Sequence, residues 1–132
     1  MTKLSVLAAT ALLALSGAAL ADGDPAAGEK VFKKCSACHA VGADAKNKVG
    51  PELNGIVGRK VASVEGFKYS PAMTEFGAGD KVWDAETMNA YLADPKSYIP
   101  KNRMAFAGLK KEDERADVIA YLNQFNEDGS AR

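Results

Sequence analysis

The chain has 132 residues, of which 47% are hydrophobic and 26% are charged. This length predicts one small domain with a modest core. The 17 basic and 17 acidic residues balance, so net charge predicts binding neither to nucleic acid nor to a membrane. Two cysteines and one histidine are too few nitrogen and sulfur ligands for a structural zinc site with four such ligands.

The first 21 residues have the pattern of a secretory signal peptide. Lys3 supplies the positive n-region, residues 7–15 a short apolar h-region, and Ala19-Leu20-Ala21 a small-x-small cleavage site. An uncleaved anchor is the alternative, although the apolar run is short for a membrane span. We therefore expect residues 1–21 to be removed and residues 22–132 to form a single domain in the periplasm. Loss of Lys3 leaves a formal net charge near −1.

The first helix is predicted from Asp24-Pro25, which is an N-cap followed by proline at the first helical position. It is expected to run to about Lys34 and to present Gly28, Val31 and Phe32 on one side. Glycine inside a helix costs stability relative to alanine. We therefore expect another helix to cross closely at Gly28.

The segment Cys35-Ser36-Ala37-Cys38-His39 has the spacing by which c-type haem is attached. Residues three apart share a helix face, so both sulfurs can reach the vinyl groups on one porphyrin edge, and the imidazole follows beneath the iron. A thiol oxidoreductase is the first alternative, but no β-rich run flanks the motif. A disulfide is the second, and it leaves His39 unexplained. The motif therefore predicts one haem c, bound covalently through Cys35 and Cys38.

A loop at residues 40–49 and the following Pro51 are expected to support the histidine. A metal-bound imidazole usually donates its other ring N–H to a carbonyl or carboxylate. The Pro51 carbonyl can accept that hydrogen bond, although an ordinary turn proline is the alternative. Buried haem propionates also need donors, and Arg59, Tyr69 and Trp83 are the large donors available. Each of these three could equally be an ordinary packed or surface residue.

The second half of the chain predicts two more helices. Asp84 caps a helix over Ala85–Ala93, whose apolar side carries Met88, Tyr91 and Leu92. Residues 95–104 contain two prolines and are expected to form an extended loop that ends at Met104. The last helix is expected over Glu112 to Phe125, with an acidic first turn that suits the helix dipole. Residues 54–60 are predicted as a short helical or turn segment, and residues 66–71 as a polar loop.

The sixth iron ligand remains to be chosen among the methionines, because the single histidine excludes bis-histidine ligation. Met88 lies on a helical apolar stripe, where packing in the core is the better interpretation. Met104 ends a proline-stiffened loop that can hold a thioether at a fixed distance from iron. We favour Met104, with Met73 in a loop as the reserve and an open site as the third alternative.

Residues 24–125 together resemble the small class I cytochromes c, close to mitochondrial cytochrome c and the bacterial cytochrome c2 group. The resemblance is carried by five segments, which are Lys34-Cys35-Ser36-Ala37-Cys38-His39, Val49-Gly50-Pro51-Glu52-Leu53-Asn54-Gly55, Gly66-Phe67-Lys68-Tyr69-Ser70, Tyr91-Leu92-Ala93-Asp94-Pro95-Lys96-Ser97-Tyr98-Ile99-Pro100 and Met104-Ala105-Phe106-Ala107-Gly108-Leu109-Lys110-Lys111. It implies an all-α fold, with three main helices plus short helices and loops around one covalently bound haem.

The resemblance also implies residue roles. It makes Cys35 and Cys38 the thioether cysteines, His39 the proximal ligand and Met104 the distal one. It further assigns roles near the haem to Pro51 as the carbonyl partner of His39, to Arg59, Tyr69 and Trp83 around the propionates, and to Tyr91 beside the methionine sulfur. Gly28 and Phe32 are expected to meet Val118 and Tyr121 where the terminal helices cross. Two positions depart from the family pattern: Met73 stands where asparagine is frequent, and Asn102 replaces a common threonine, which leaves that hydrogen bond open.

The function implied is that of a soluble, monomeric one-electron carrier in the periplasm and not of an enzyme. The family suggests a cytochrome bc complex as one partner and a terminal oxidase, photosynthetic reaction centre or periplasmic reductase as the other. Nine basic residues flank the segments expected to hold the haem and could steer an acidic partner, namely Lys33, Lys34, Lys46, Lys48, Lys96, Lys101, Arg103, Lys110 and Lys111. An ordinary solvated surface is the alternative. A haem enzyme or gas sensor with a vacatable sixth position, and a thiol module without haem, are the rival functions.

Overall fold

Five helices make up the regular secondary structure of residues 22–132, which are the residues described by a computed structural model. The helices are α1 (Pro25–Phe32), α2 (Pro71–Phe76), α3 (Ala85–Ala93), α4 (Pro95–Tyr98) and α5 (Glu112–Leu122). Within residues 22–132, β-structure is limited to two isolated bridges. The fold is therefore all-α, as the sequence predicts. The signal expected at residues 1–21 lies outside the described residues.

The predicted starts of α1 and α3 are confirmed by their caps. The Asp24 carboxylate accepts a hydrogen bond from the Ala26 N–H at 2.9 Å, and Asp84 accepts one from the Thr87 N–H at 2.7 Å. Helix α1 ends two residues earlier than predicted. The chain tightens there, since the Cys35 N–H bonds to the Phe32 carbonyl at 2.7 Å, three residues back rather than four.

Two short helices were not predicted, and in both cases a proline begins the helix. Residues 95–98 form α4 instead of an extended loop, with Asp94 accepting from the Ser97 N–H at 3.3 Å. Helix α2 starts at Pro71 after an N-cap serine, so Met73 lies in a helix and not in a loop. Proline breaks a helix from within but suits its first position, where no N–H is needed. Residues 54–60 form turns, within the prediction.

Helices α1 and α5 cross closely, and Gly28 makes the approach possible. A Cβ on Gly28 would collide with the Asp117 carbonyl and lie 2.8 Å from the Tyr121 Cβ. Beside this point the rings of Phe32 and Tyr121 lie 5.4 Å apart, and Val118 is buried. The close crossing expected from the sequence is therefore present. Helix α5 ends at Leu122, three residues before the predicted end.

The hydrophobic core joins α1, α3 and α5 to the connecting loops. Its buried apolar residues are Val31, Phe32, Ile56, Val61, Trp83, Met88, Tyr91, Ile99, Leu109, Val118, Ile119 and Leu122. No helix in the described part of the chain is long and apolar enough to cross a membrane.

Candidate haem site

The two cysteines and the histidine lie on one tight turn that follows α1. The Cys38 and His39 N–H groups both bond to the Cys35 carbonyl, at 3.1 and 2.9 Å. Both thiols are free and partly buried, so the structure does not contain the alternative disulfide. Burial raises the pKa of the Cys35 thiol, and the nearby Lys34 opposes this shift. The turn therefore presents two free thiols next to one imidazole.

The His39 imidazole is fixed by the loop beneath it. Its Nδ1 lies 2.7 Å from the Pro51 carbonyl oxygen, which can only accept, so Nδ1 carries the proton and Nε2 keeps its lone pair for a metal. Gly50 packs against the ring, since a Cβ there would lie 2.8 Å from Nδ1. Burial lowers the pKa of His39, and the charges of Arg59 and Lys48 add to this effect against the Pro51 hydrogen bond. The histidine is thus held in its neutral, ligating form.

The loop that brings Pro51 to the imidazole is itself anchored by side chains. The Asn54 amide accepts from the Gly42 N–H and donates to the Gly42 carbonyl, both at 2.8 Å. The Gly50 N–H also bonds to the Cys38 carbonyl at 2.9 Å. Asn54 is 5% exposed, so its two bonds are shielded from water. Sequence reasoning missed Asn54, because its partner is twelve residues away and no local pattern signals the pairing.

Met104 and Tyr91 are brought together as the resemblance implies. The Tyr91 hydroxyl donates to the Met104 sulfur at 3.9 Å. Burial raises the pKa of Tyr91 to about 12, so the hydroxyl keeps its proton through the neutral range. The backbone N–H of Met104 donates to the Asn102 amide oxygen at 2.8 Å. The Asn102 NH₂ group donates to the carbonyls of Pro95 and Ile99 at 2.9 and 2.8 Å. Asn102 therefore ties the backbone of Met104 to Pro95 and Ile99.

The other two methionines lie elsewhere. Met88 is 5% exposed within the core, as expected from its helical stripe. Met73 is partly buried on α2 and packs against the core. Helix α2 is also capped through Met73, whose N–H donates to the Ser70 hydroxyl at 3.1 Å. The hydroxyl contact to sulfur thus distinguishes Met104 from the reserve candidate.

The three donors expected at the propionates have different surroundings. Arg59 is partly buried and donates to the carbonyls of Asn54 at 2.8 Å and Glu52 at 3.1 Å, while its Nε is buried without a partner. The Tyr69 hydroxyl accepts from the Val64 N–H at 3.0 Å, so its own proton remains available. Trp83 is joined to Arg59 through its backbone N–H at 2.9 Å. Buried donors rarely lack partners, so the Arg59 Nε indicates an acceptor from a bound group.

Aromatic side chains form a wall beside Tyr91. The Trp83 ring centre lies 5.1 Å from that of Tyr91 and 5.8 Å from that of Phe76, and the Tyr98 ring lies 5.6 Å from Phe76. Phe76 was missed from the sequence because it belongs to the unpredicted helix α2. Large apolar rings of this kind suit the face of a porphyrin.

The donor set fits a c-type haem. It supplies two thiols on one turn, a neutral imidazole with a free Nε2, a thioether, an unpaired buried guanidinium N–H and an aromatic wall. Within residues 22–132, no group of three or more His, Cys, Asp or Glu side chains is arranged to hold a metal ion directly. The structure therefore offers no support for the zinc alternative.

Comparison with known proteins decides the family. The family model described as Cytochrome c matches residues 25–126. The chain belongs to the cytochrome c family. It is 58% identical to cytochrome c-550 of Ancylobacter novellus over 106 residues, which cover 80% of this chain and 99% of that protein. It is 49% identical to cytochrome c2 of Blastochloris viridis over 121 residues, which cover 92% of this chain and 93% of that protein.

A solved structure agrees with these similarities. The structure of cytochrome c2 from Rhodospirillum centenum matches with a TM-score of 0.74 and 44% identity, and covers 79% of this chain and 99% of that one. The predicted class I fold and the resemblance to the c2 group are thus confirmed. This cytochrome c binds one covalent haem c and is an electron carrier, not an enzyme. A thiol module without haem is excluded by the same findings.

Proposed function

We propose that this cytochrome c is a soluble, monomeric one-electron carrier of the periplasm, with a haem iron ligated by His39 and Met104. The mature protein is residues 22–132, after removal of the signal at residues 1–21, and Cys35 and Cys38 form the thioethers. The observation that carries this proposal is the 2.7 Å hydrogen bond from His39 Nδ1 to the Pro51 carbonyl, which leaves Nε2 as the ligating atom.

The bound haem supplies the one-electron couple, and the protein sets the conditions for it. A thioether ligand favours ferrous iron, and burial disfavours the additional charge of ferric iron, so this ligand pair raises the reduction potential. The Tyr91 hydroxyl at 3.9 Å orients the Met104 sulfur. Because His39 and Met104 would both be ligands of the iron, neither side chain would have to leave when an electron is transferred.

The propionates are assigned to the pocket of Arg59, Tyr69 and Trp83. The unpaired Nε of Arg59 and the free proton of the Tyr69 hydroxyl supply hydrogen bonds to carboxylates. Buried carboxylates without such donors would be very costly.

The partners proposed are membrane redox complexes with acidic docking surfaces. One is a cytochrome bc complex, and the other is a terminal oxidase, a photosynthetic reaction centre or a periplasmic reductase. All nine basic side chains of the proposed docking face are exposed, namely Lys33, Lys34, Lys46, Lys48, Lys96, Lys101, Arg103, Lys110 and Lys111. Such a face accelerates association with an acidic partner and makes it sensitive to salt.

Three measurements test the proposal. Ferric holoprotein should show the red charge-transfer band of methionine–iron ligation, and the reduced form should bind carbon monoxide slowly. Prompt carbon monoxide binding would instead indicate a vacatable sixth position, as in a gas sensor.

The rate of electron transfer to an isolated bc complex should fall as ionic strength rises. Lys96→Glu should slow it further than Lys60→Glu, which reverses an exposed charge outside the face. A flat ionic-strength profile would remove the steering role.

A further inference from the structure

Arg59 is held by an acidic side chain that the family resemblance does not assign to the haem. The Glu52 carboxylate lies 3.3 Å from Arg59 Nη1, and the two side chains are only 21% and 9% exposed. The terminal nitrogens of Arg59 also donate to the carbonyls of Asn54 and Glu52. Three of the five guanidinium N–H groups are therefore used within the loop, and Nε is the nitrogen without any partner.

The Glu52 carboxylate is fixed and not a loose surface charge. Its second oxygen accepts from the Asn54 N–H at 2.7 Å, and the Glu52 backbone N–H donates to Asn47 at 2.9 Å. Glu52 directly follows Pro51, whose carbonyl accepts from the His39 imidazole. A fixed negative charge is thus built into the same loop that holds the proximal histidine.

A second carboxylate, Glu127, lies on the C-terminal segment where it packs against the loop that carries Glu52. Glu127 is exposed and packs on Gly55, where a Cβ would lie 2.6 Å from the Glu127 Cγ. The Gly55 N–H donates to the Phe125 carbonyl at 3.1 Å, which ties this segment to the loop. Because it is exposed and makes no hydrogen bond to Arg59, its influence should be weaker than that of Glu52.

We propose that Glu52 is a positioning residue that lowers the reduction potential of the haem. It holds the terminal nitrogens of Arg59 on the loop, so that a propionate receives fewer of the guanidinium N–H groups, and it adds a negative charge on the histidine side. Ferric iron carries one more positive charge than ferrous iron, so both effects stabilise the ferric state. This inference rests on the proposed attachment and ligation of the haem.

The test is the midpoint potential of the holoprotein, measured by spectroelectrochemistry. Glu52→Gln keeps the shape of the side chain and removes its charge. We expect it to raise the midpoint potential, so that the equilibrium constant for reduction of the haem rises by about three- to tenfold, where tenfold corresponds to 59 mV for one electron. Glu127→Gln should raise it less. Glu86→Gln makes an equal charge change at an exposed position on α3, and it should change this equilibrium constant by less than about twofold.

If Glu52 has only a structural role, Glu52→Gln will change the unfolding midpoint, and its midpoint potential will equal that of the Glu86→Gln control. That result overturns the proposal. A fall in potential overturns it as well. Because the pair is largely buried, the shift should persist at high salt. If Glu52→Gln yields no holoprotein, Glu52→Asn and Glu52→Asp form a second pair that differs only in charge. The Asn variant should then have the higher potential, and equal values contradict the proposal.

Failure of this inference can be told apart from failure of the proposed function. If the wild-type ferric protein lacks the methionine–iron band, the ligation itself is wrong. If the wild-type protein has that band and transfers electrons, but Glu52→Gln leaves the midpoint potential unchanged, only the proposed role of Glu52 is wrong.

Discussion

The two sides of the haem site are built differently. The imidazole loop, residues 40–55, is tied to the turn of the haem motif by the Gly50–Cys38 hydrogen bond, and to the C-terminal segment by the Gly55–Phe125 hydrogen bond. The methionine loop, residues 99–110, is anchored at its two ends, by Asn102 and by the Leu109 N–H, which donates to the Leu92 carbonyl at 2.7 Å. Between residues 103 and 108, one backbone–backbone hydrogen bond joins the loop to itself.

This difference indicates which ligand is held more strongly. A segment with few buried contacts and few hydrogen bonds opens at a lower free energy than the rest of a protein. Lys101 adds to this in the methionine loop, because its φ of 66° is unfavourable for a non-glycine residue, by about 1–3 kcal/mol. We therefore expect Met104 to leave the iron before His39 does, whatever agent opens the site.

The largest effect is expected from a substitution that breaks the imidazole side. In Gly50→Val the new side chain would be driven into the His39 ring, since a Cβ alone would lie 2.8 Å from Nδ1. The haem content per protein, measured by pyridine haemochrome, should fall at least about tenfold, because a steric conflict of this kind costs several kcal/mol. Gly79→Ala is the control: its φ of 77° adds strain, but nothing lies within 4 Å. Normal haem content in Gly50→Val would contradict the geometry of this side.

Matched asparagines on the two sides give the next largest effects. Asn54→Ala leaves the Gly42 N–H without a partner and removes one of the two hydrogen bonds to the Gly42 carbonyl, which still accepts from the Ala45 N–H at 3.1 Å. It should lower the free energy of unfolding by about 2–3 kcal/mol, measured by guanidinium denaturation. Asn102→Ala should lower it by about 1–2 kcal/mol. Asn102→Ala should, however, increase the affinity of ferric protein for added imidazole by about five- to thirtyfold, since opening the methionine loop then costs about 1–2 kcal/mol less. The reverse ranking of imidazole affinities would refute the comparison.

The sequence predicts what is local and misses what is brought together by folding. The haem motif and the caps Asp24 and Asp84 are read within a few residues, and each is present. Ser70-Pro71 carries the same signature, yet α2 was missed because no apolar periodicity follows it in so short a helix. The Asn54–Gly42 pair and the Glu52–Arg59 pair lie in segments that form neither helix nor strand, so no helical or strand period predicts them. They emerge only from the folded loop.

A smaller effect is expected from Tyr91→Phe, which changes the methionine side without opening it. Removing the donor at 3.9 Å leaves the Met104 sulfur richer in electrons, so the ferric state gains stability and the midpoint potential falls. We expect the equilibrium constant for reduction of the haem to fall by about fivefold, which corresponds to about 1 kcal/mol. An unchanged or higher potential would show that the hydroxyl does not act on the sulfur.

The same tyrosine predicts a pH dependence of stability. Its pKa is raised from 10.0 to about 12 by burial, so the folded state binds its proton more tightly than the unfolded state. The resulting stability is fully present below pH 10 and is lost as pH rises toward about 12. The difference in unfolding free energy between wild type and Tyr91→Phe should therefore be constant below pH 10 and change above it.

The smallest effect on the site is expected from Asp84→Ala, which serves as a benchmark far from both loops. Loss of the cap on α3 should lower the free energy of unfolding by about 0.5–1 kcal/mol. The hydrogen bonds to Thr87 lower the pKa of Asp84, so the contribution of the cap is present above pH 4 and is lost as pH falls further. Neither the midpoint potential nor imidazole affinity should change.

The most direct test is a guanidinium titration of ferric holoprotein, followed both by the methionine–iron absorption band and by the far-ultraviolet circular dichroism of the helices. The account predicts that the band is present in native protein and disappears at a lower denaturant concentration than the helical signal, because the methionine loop opens first. Absence of the band, or coincidence of the two transitions, would contradict it.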